Sequence, residues 1–190
     1  MFWAGLVGLP LPLLPIQILL VNLVTDGLPA LALAVDPASE EVMHRPPRDP
    51  KEGAFSRGLG WKILSRGVFI GALTLVTFAG GLRLTGNVVG ARTMGLTVLI
   101  LSQLVHVFEC RSETESFYRL SVLGNPMLIV SVAASLGILL AVVYFPPLGK
   151  VFGTHPLSAT DWAVIMGLSV SALAATVARS VLWPGRRACR

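Results

Sequence analysis

Five apolar runs of roughly twenty residues, at about 16–35, 60–82, 93–110, 126–145 and 160–182, are separated by short polar stretches. A helix rises about 1.5 Å per residue, so about twenty residues cross the ~30 Å hydrocarbon layer of a bilayer. Lipid offers the backbone no hydrogen bonds, so such spans must be helices or closed barrels, and runs this long fit only helices. Composition agrees: 54% of the 190 residues are hydrophobic, 13% are charged and the mean hydropathy is +0.74. The pattern predicts an all-α integral membrane protein, a bundle of five transmembrane helices plus the end of a truncated sixth. Residues 1–9 are that end, apolar but too short to cross. Pro10 to Pro15 read as a tight, uncharged turn, and 10–190 as one membrane domain. Residues 1–9 have no basic start and are followed by Pro10, Pro12 and Pro15, so no secretory signal peptide is expected.

Charge sets the expected orientation. The stretch 36–58 with Lys62 and Arg66, the stretch 111–124 and the C-terminal end hold twelve of the fifteen Lys and Arg residues. These segments alternate onto one side, and positive charge marks the cytoplasmic side. Only Arg83, Arg92 and Lys150 fall on the other side, with Arg83 and Arg92 placed in a short loop. The C-terminus is therefore predicted inside. Flanking cations of this kind account for the net charge of +5 without a nucleic-acid partner. Cys110 and Cys189 lie near span ends and read as unpaired thiols. Trp61, Trp162 and Trp183 sit where spans meet the interface.

Of the ten acidic residues, Asp26 alone lies deep inside an apolar run. A carboxylate at bilayer depth is costly without a partner and is functional by default. Asn22 is four residues earlier on the same helical face, and Thr25 is adjacent to that face. Gly27 and Pro29 weaken the helix at the same point, which should free backbone carbonyls. Carboxylate, amide, hydroxyl and carbonyls make an oxygen-rich pocket suited to a hard cation such as calcium, which takes six to eight oxygen ligands. The alternative is a polar patch that glues helices together and binds nothing. In the third span, Gln103, His106 and Cys110 follow one side. His106 with Cys110 could suit a transition metal, but a lone histidine with a nearby cysteine is more often a hydrogen-bonded packing pair.

The run Pro15-Ile16-Gln17-Ile18-Leu19-Leu20-Val21-Asn22-Leu23-Val24-Thr25-Asp26-Gly27-Leu28-Pro29-Ala30 closely resembles the sixth transmembrane helix of calcium-transporting P-type ATPases. Asp36-Pro37 and Met43-His44-Arg45-Pro46-Pro47-Arg48 look like that family's loop between helices six and seven, and Thr93-Met94 like the start of helix eight. The closing spans fit helices nine and ten by order. The resemblance implies that Asn22 and Asp26 are ligands of the ion site shared by these pumps. Thr25 matches a ligand of a second site, and Gln103 falls where two-ion pumps carry a glutamate. A neutral amide there leaves two dications without compensation, which implies one calcium per cycle. Gln103 to Arg111 looks more like bacterial members.

The family's phosphorylated Asp-Lys-Thr-Gly sequence does not occur in these 190 residues. Phosphoryl transfer needs a nucleophile, magnesium ligands and phosphate donors held together. This stretch is expected not to hydrolyse ATP by itself, with Mg2+ and ATP used only in domains outside it. Its expected partners are the bilayer and the N-terminal helices and cytoplasmic domains of the same pump, in a bacterial plasma membrane. The stiff loop 36–58 is expected to dock those domains. The competing expectation is a stand-alone small membrane protein, a non-catalytic assembly or regulatory subunit. Manganese or another monovalent or divalent cation is the alternative ion.

Overall fold

The computed structural model describes residues 2–6, 8–36, 59–109 and 125–169. Every regular element in them is helical: α1 (Phe2–Leu6), α2 (Pro15–Val21), a π-helical turn (Asn22–Gly27), α3 (Leu28–Ala34), α4 (Leu59–Thr85), α5 (Val88–Glu109), α6 (Pro126–Tyr144), α7 (Pro146–Phe152) and a last helix, α8, over 159–169. Helix α2, the π turn and α3 run on as one rod, Pro15–Ala34. That rod, Ile63–Thr85, Val88–Phe108 and Pro126–Tyr144 are the four stretches among the described residues long and apolar enough to cross a membrane. The fifth expected span, 160–182, is described only as far as 169. Loop 111–124, the C-terminal tail and the loop 36–58 beyond Asp36 lie outside the described residues.

The third span departs from its expected bounds. It begins at Val88 rather than at 93, and Arg92 lies within the helix rather than in a loop, as Arg83 lies within the last turn of α4. The reason is local chemistry between α4 and α5. Gly86 has φ +65°, a left-handed position that ends α4 at no steric cost. The side-chain oxygen of Asn87 then accepts the N–H groups of Val89 (3.0 Å) and Gly90 (3.3 Å) and starts the next helix at once. Two residues suffice to reverse the chain. Arg92, one turn into α5, donates from Nε to the carbonyl of Leu11 at 2.7 Å, which secures the irregular stretch before α2.

Helix α6 starts at Asn125, whose side-chain oxygen accepts the Leu128 N–H at 3.0 Å, with Pro126 in the first turn, where its missing N–H costs nothing. Pro146 ends α6 and opens the short α7, an element the sequence reading did not foresee. Gly153, with φ +61°, closes α7. Beyond it Ser158 and Asp161 exchange backbone-to-side-chain hydrogen bonds of 2.8 and 3.2 Å and begin α8. The Trp162 indole donates to the Tyr144 hydroxyl (2.6 Å), which donates to the Leu157 carbonyl (3.0 Å), tying α8 to the end of α6.

Helix α5 is the centre of the bundle: 56% of its span is buried, against 17% for α4. Its Met94, Leu96, Val98, Ile100 and Leu104 join Leu13, Val21, Leu139, Val143 and Ile165 in the main core. A smaller cluster, Leu20, Val24 and Val142, seats the α2–α3 rod on α6. Between lipid-embedded helices, close packing and hydrogen bonds drive association, since lipid is as apolar as the core.

Candidate cation site

Pro29 explains the shape of the rod that carries Asp26. Proline donates no N–H, and its ring crowds the carbonyl four residues earlier. The chain accommodates it by widening the preceding turn into the π-helical segment Asn22–Gly27. The interruption expected at Gly27–Pro29 thus takes the form of a wider turn over Asn22–Gly27, with the helix unbroken. The i+5 pairing of that turn runs out at Val24, whose next donor in sequence would be residue 29. The buried hydroxyl of Ser135 on α6 takes the Val24 carbonyl instead, at 2.9 Å. The Val24 carbonyl is therefore engaged by protein.

The predicted ligands divide between two sides of the rod. Val21, Val24, Thr25, Pro29 and Ala32 are buried against α5 and α6, whereas Asn22, Leu23, Asp26 and Leu31 are exposed. Asn22 and Asp26 share the open side, and among the described residues neither side chain has a hydrogen-bonding or ionic partner. Thr25 is 1% exposed and turned inward. Its hydroxyl lies 2.6 Å from the Val21 carbonyl and 2.9 Å from the side-chain oxygen of Gln103 on α5. One hydroxyl proton serves one of these acceptors. Turning the Gln103 amide about its last bond lets its NH2 donate to Thr25 and satisfies both. The structure joins Thr25 to Gln103 on the buried side and leaves Asn22 and Asp26 on the open side. Thr25 is next to the Asn22–Asp26 side in sequence but turns inward.

The open side presents one amide oxygen and two carboxylate oxygens. These fill at most half of a calcium shell of six to eight oxygens. His106 is half-buried on α5, Cys110 lies outside the described residues, and no group of three or more His, Cys, Asp or Glu side chains gathers among the described residues.

Three polar residues that sequence reasoning passed over hold the rod in place. Gln17, fully buried, accepts the Leu14 N–H at 3.0 Å and donates to the Phe152 carbonyl at 3.0 Å. Asn125 donates to the Ala32 carbonyl and to the Asp36 carboxylate, both at 2.9 Å. Ser135 holds the middle. The signal was present: each is a polar side chain within or bordering an apolar run, where an unpaired amide or hydroxyl is costly.

Comparison with known proteins agrees with this architecture. The profile of the family described as "Cation transporting ATPase, C-terminus" matches residues 10–182. The chain is 49% identical over 170 residues to a calcium-transporting ATPase of Bacillus subtilis, covering 89% of this chain and 19% of that protein. It is 39% identical over 186 residues to calcium-transporting ATPase 1 of Bacillus cereus, covering 90% of this chain and 21% of that protein. It is 36% identical over 170 residues to the human calcium-transporting ATPase type 2C member 1, covering 88% of this chain and 18% of that protein. The chain thus spans about a fifth of the length of these relatives. Its described residues form helices only, four of them of membrane length, and its sequence matches this profile over residues 10–182: the chain belongs to the family of cation-transporting ATPase C-terminal domains.

Proposed function

We propose that the chain is the C-terminal membrane domain of an ATP-driven calcium pump and contributes half of its intramembrane cation site. One observation carries the reading: the Asp26 carboxylate, with Asn22 beside it, lies exposed on the side of a membrane-spanning helix that its own bundle leaves uncovered. A charge at that depth requires compensation, and a divalent cation together with neighbouring helices would supply it. Asn22 and Asp26 are the ligands in this reading. The Thr25–Gln103 pair braces the rod against α5, and its neutral chemistry fits one calcium per cycle rather than two. The names of the relatives favour calcium over manganese.

Magnesium and ATP act in cytoplasmic domains outside this chain, and the bilayer and the remaining helices of the same polypeptide are its partners. The membrane is a bacterial plasma membrane, with the C-terminus cytoplasmic. Motion of the cytoplasmic domains shifts the π turn between two arrangements of different cation affinity, a two-state coupling. The test grafts residues 10–182 into the Bacillus subtilis relative in place of its matching region. With Asp26→Asn, calcium-dependent phosphorylation by ATP and uptake of radioactive calcium into membrane vesicles should both be lost. Unchanged calcium dependence in that variant overturns the assignment.

A further inference from the structure

We infer that Ser135 is a positioning residue for the cation site: its hydroxyl holds the π turn in place by taking the Val24 carbonyl, for which Pro29 offers no i+5 donor. The inference rests on the reading of Asn22 and Asp26 as ligands. Ser135 is 0% exposed, sits near the middle of α6, and donates to the Val24 carbonyl at 2.9 Å. Val24 is the residue at which the i+5 pairing of Asn22–Gly27 would need an N–H from Pro29. The hydroxyl replaces that N–H. Ser131 on the same helix bonds back to its own Leu128 carbonyl at 2.8 Å, the usual habit of a serine in a helix. Ser135 reaches across to another helix instead.

The consequence for the site is geometric. An extra residue in one turn rotates everything after it by roughly 100° relative to a continuous helix. The rod is fixed at one end by Gln17 on Phe152 and at the other by Asn125 on Ala32. Between fixed ends, losing the wide turn must twist the middle, and Asn22 and Asp26 are in the middle. With Ser135 removed, the wide turn carries an unpaired carbonyl away from water and loses part of its advantage over other arrangements of the rod. Apparent cation affinity then falls in proportion to the population of the wide turn.

The chimeric pump described above provides the test. Ser135→Ala changes volume little, and one unpaired buried carbonyl should raise the calcium concentration for half-maximal phosphorylation about tenfold while maximal turnover and expression stay near wild type. Ser135→Cys, a weak donor of similar size, should fall between wild type and alanine, and it is the variant to read if alanine expresses poorly. Pro29→Ala restores an N–H at position 29, so adding Ser135→Ala to Pro29→Ala should produce no further shift. An equal shift from Ser135→Ala in both backgrounds, or no shift in either, overturns the positioning role. Asp26→Asn in the same series separates the two ideas. If it abolishes calcium dependence while Ser135→Ala behaves as wild type, only the role of Ser135 falls. If Asp26→Asn retains calcium dependence, the cation-site reading falls and the Ser135 inference with it.

Discussion

Gln17 and Asp26 are two polar side chains on one apolar rod with opposite fates. Gln17 is buried with both ends of its amide engaged, the oxygen on Leu14 and the nitrogen on Phe152. A buried amide engaged in this way fixes position. Asp26 has no such partner among the described residues, and that difference separates a structural polar residue from a candidate ligand. Gln17→Leu keeps the bulk but strands the Leu14 N–H and the Phe152 carbonyl. It should lower stability by about 1–3 kcal/mol, read as a lower melting midpoint of the detergent-solubilised protein. An unchanged midpoint would show that water or lipid headgroups take over both partners. Asn22 and Asp26 were legible from sequence because an acid and an amide four apart in an apolar run stand out whatever the local turn. The inward side of Thr25 was not legible. Asn22, Thr25 and Asp26 occupy neighbouring sides of an α or a π turn alike, and which side is covered is decided by packing against helices distant in sequence, here α5.

Helix α4 meets the bundle through α5, and small residues set how close the two come. A Cβ on Gly81 would stand 3.1 Å from the Met94 sulfur and 3.4 Å from the Ala91 Cα, and one on Gly95 would stand 3.6 Å from Phe78 and Thr74. Small residues at such crossings let backbones approach and let dispersion act over the whole contact. The Met94 thioether can swing aside for a methyl group, but the Ala91 backbone cannot move for a branched side chain. Gly81→Ala should therefore be mild. Gly81→Leu should separate α4 from α5 and lower stability by about 1–3 kcal/mol or more, seen as reduced yield of monodisperse protein in detergent. Equal behaviour of the two variants would mean the crossing is loose. The α4–α5 hairpin also shows what hydropathy misses. Arg92 is charged, so a hydropathy reading placed it in a loop and started the span at 93. The Gly86-Asn87 pair carried the correct boundary, because glycine ends a helix and asparagine starts one. Turn chemistry should have outranked charge there, since a long arginine side chain is free to reach the end of its helix from inside it.

Across the whole molecule the charges and the polar anchors sort by end. Arg83, Arg92 and Lys150 gather at the end that carries the Gly86 turn and α7, the same end at which Gln17 and Arg92 fasten the start of the α2–α3 rod. Asp36 and Asn125 mark the opposite end, toward which the segments with most of the Lys and Arg residues lead in sequence. The positive-inside rule predicts that the Gly86 end faces away from the cytoplasm. His155 is exposed at that end, with its backbone N–H on the Thr93 hydroxyl at 3.0 Å. A variant with Cys110 and Cys189 replaced by serine and a single His155→Cys should react with a membrane-impermeant maleimide in intact cells. The matching variant with Ser56→Cys should react only after the cells are permeabilised. The reverse pattern would invert the topology and put the open side of Asn22 and Asp26 in the opposite sense to any transport cycle. Labelling of both sites in intact cells would mean that the described helices do not cross the membrane in the alternation their length and connectivity require. The experiment is strict because the described residues hold four spans of membrane length: if each crosses, the side of His155 sets the sides of Asn125, Gly86 and Asp36 by alternation.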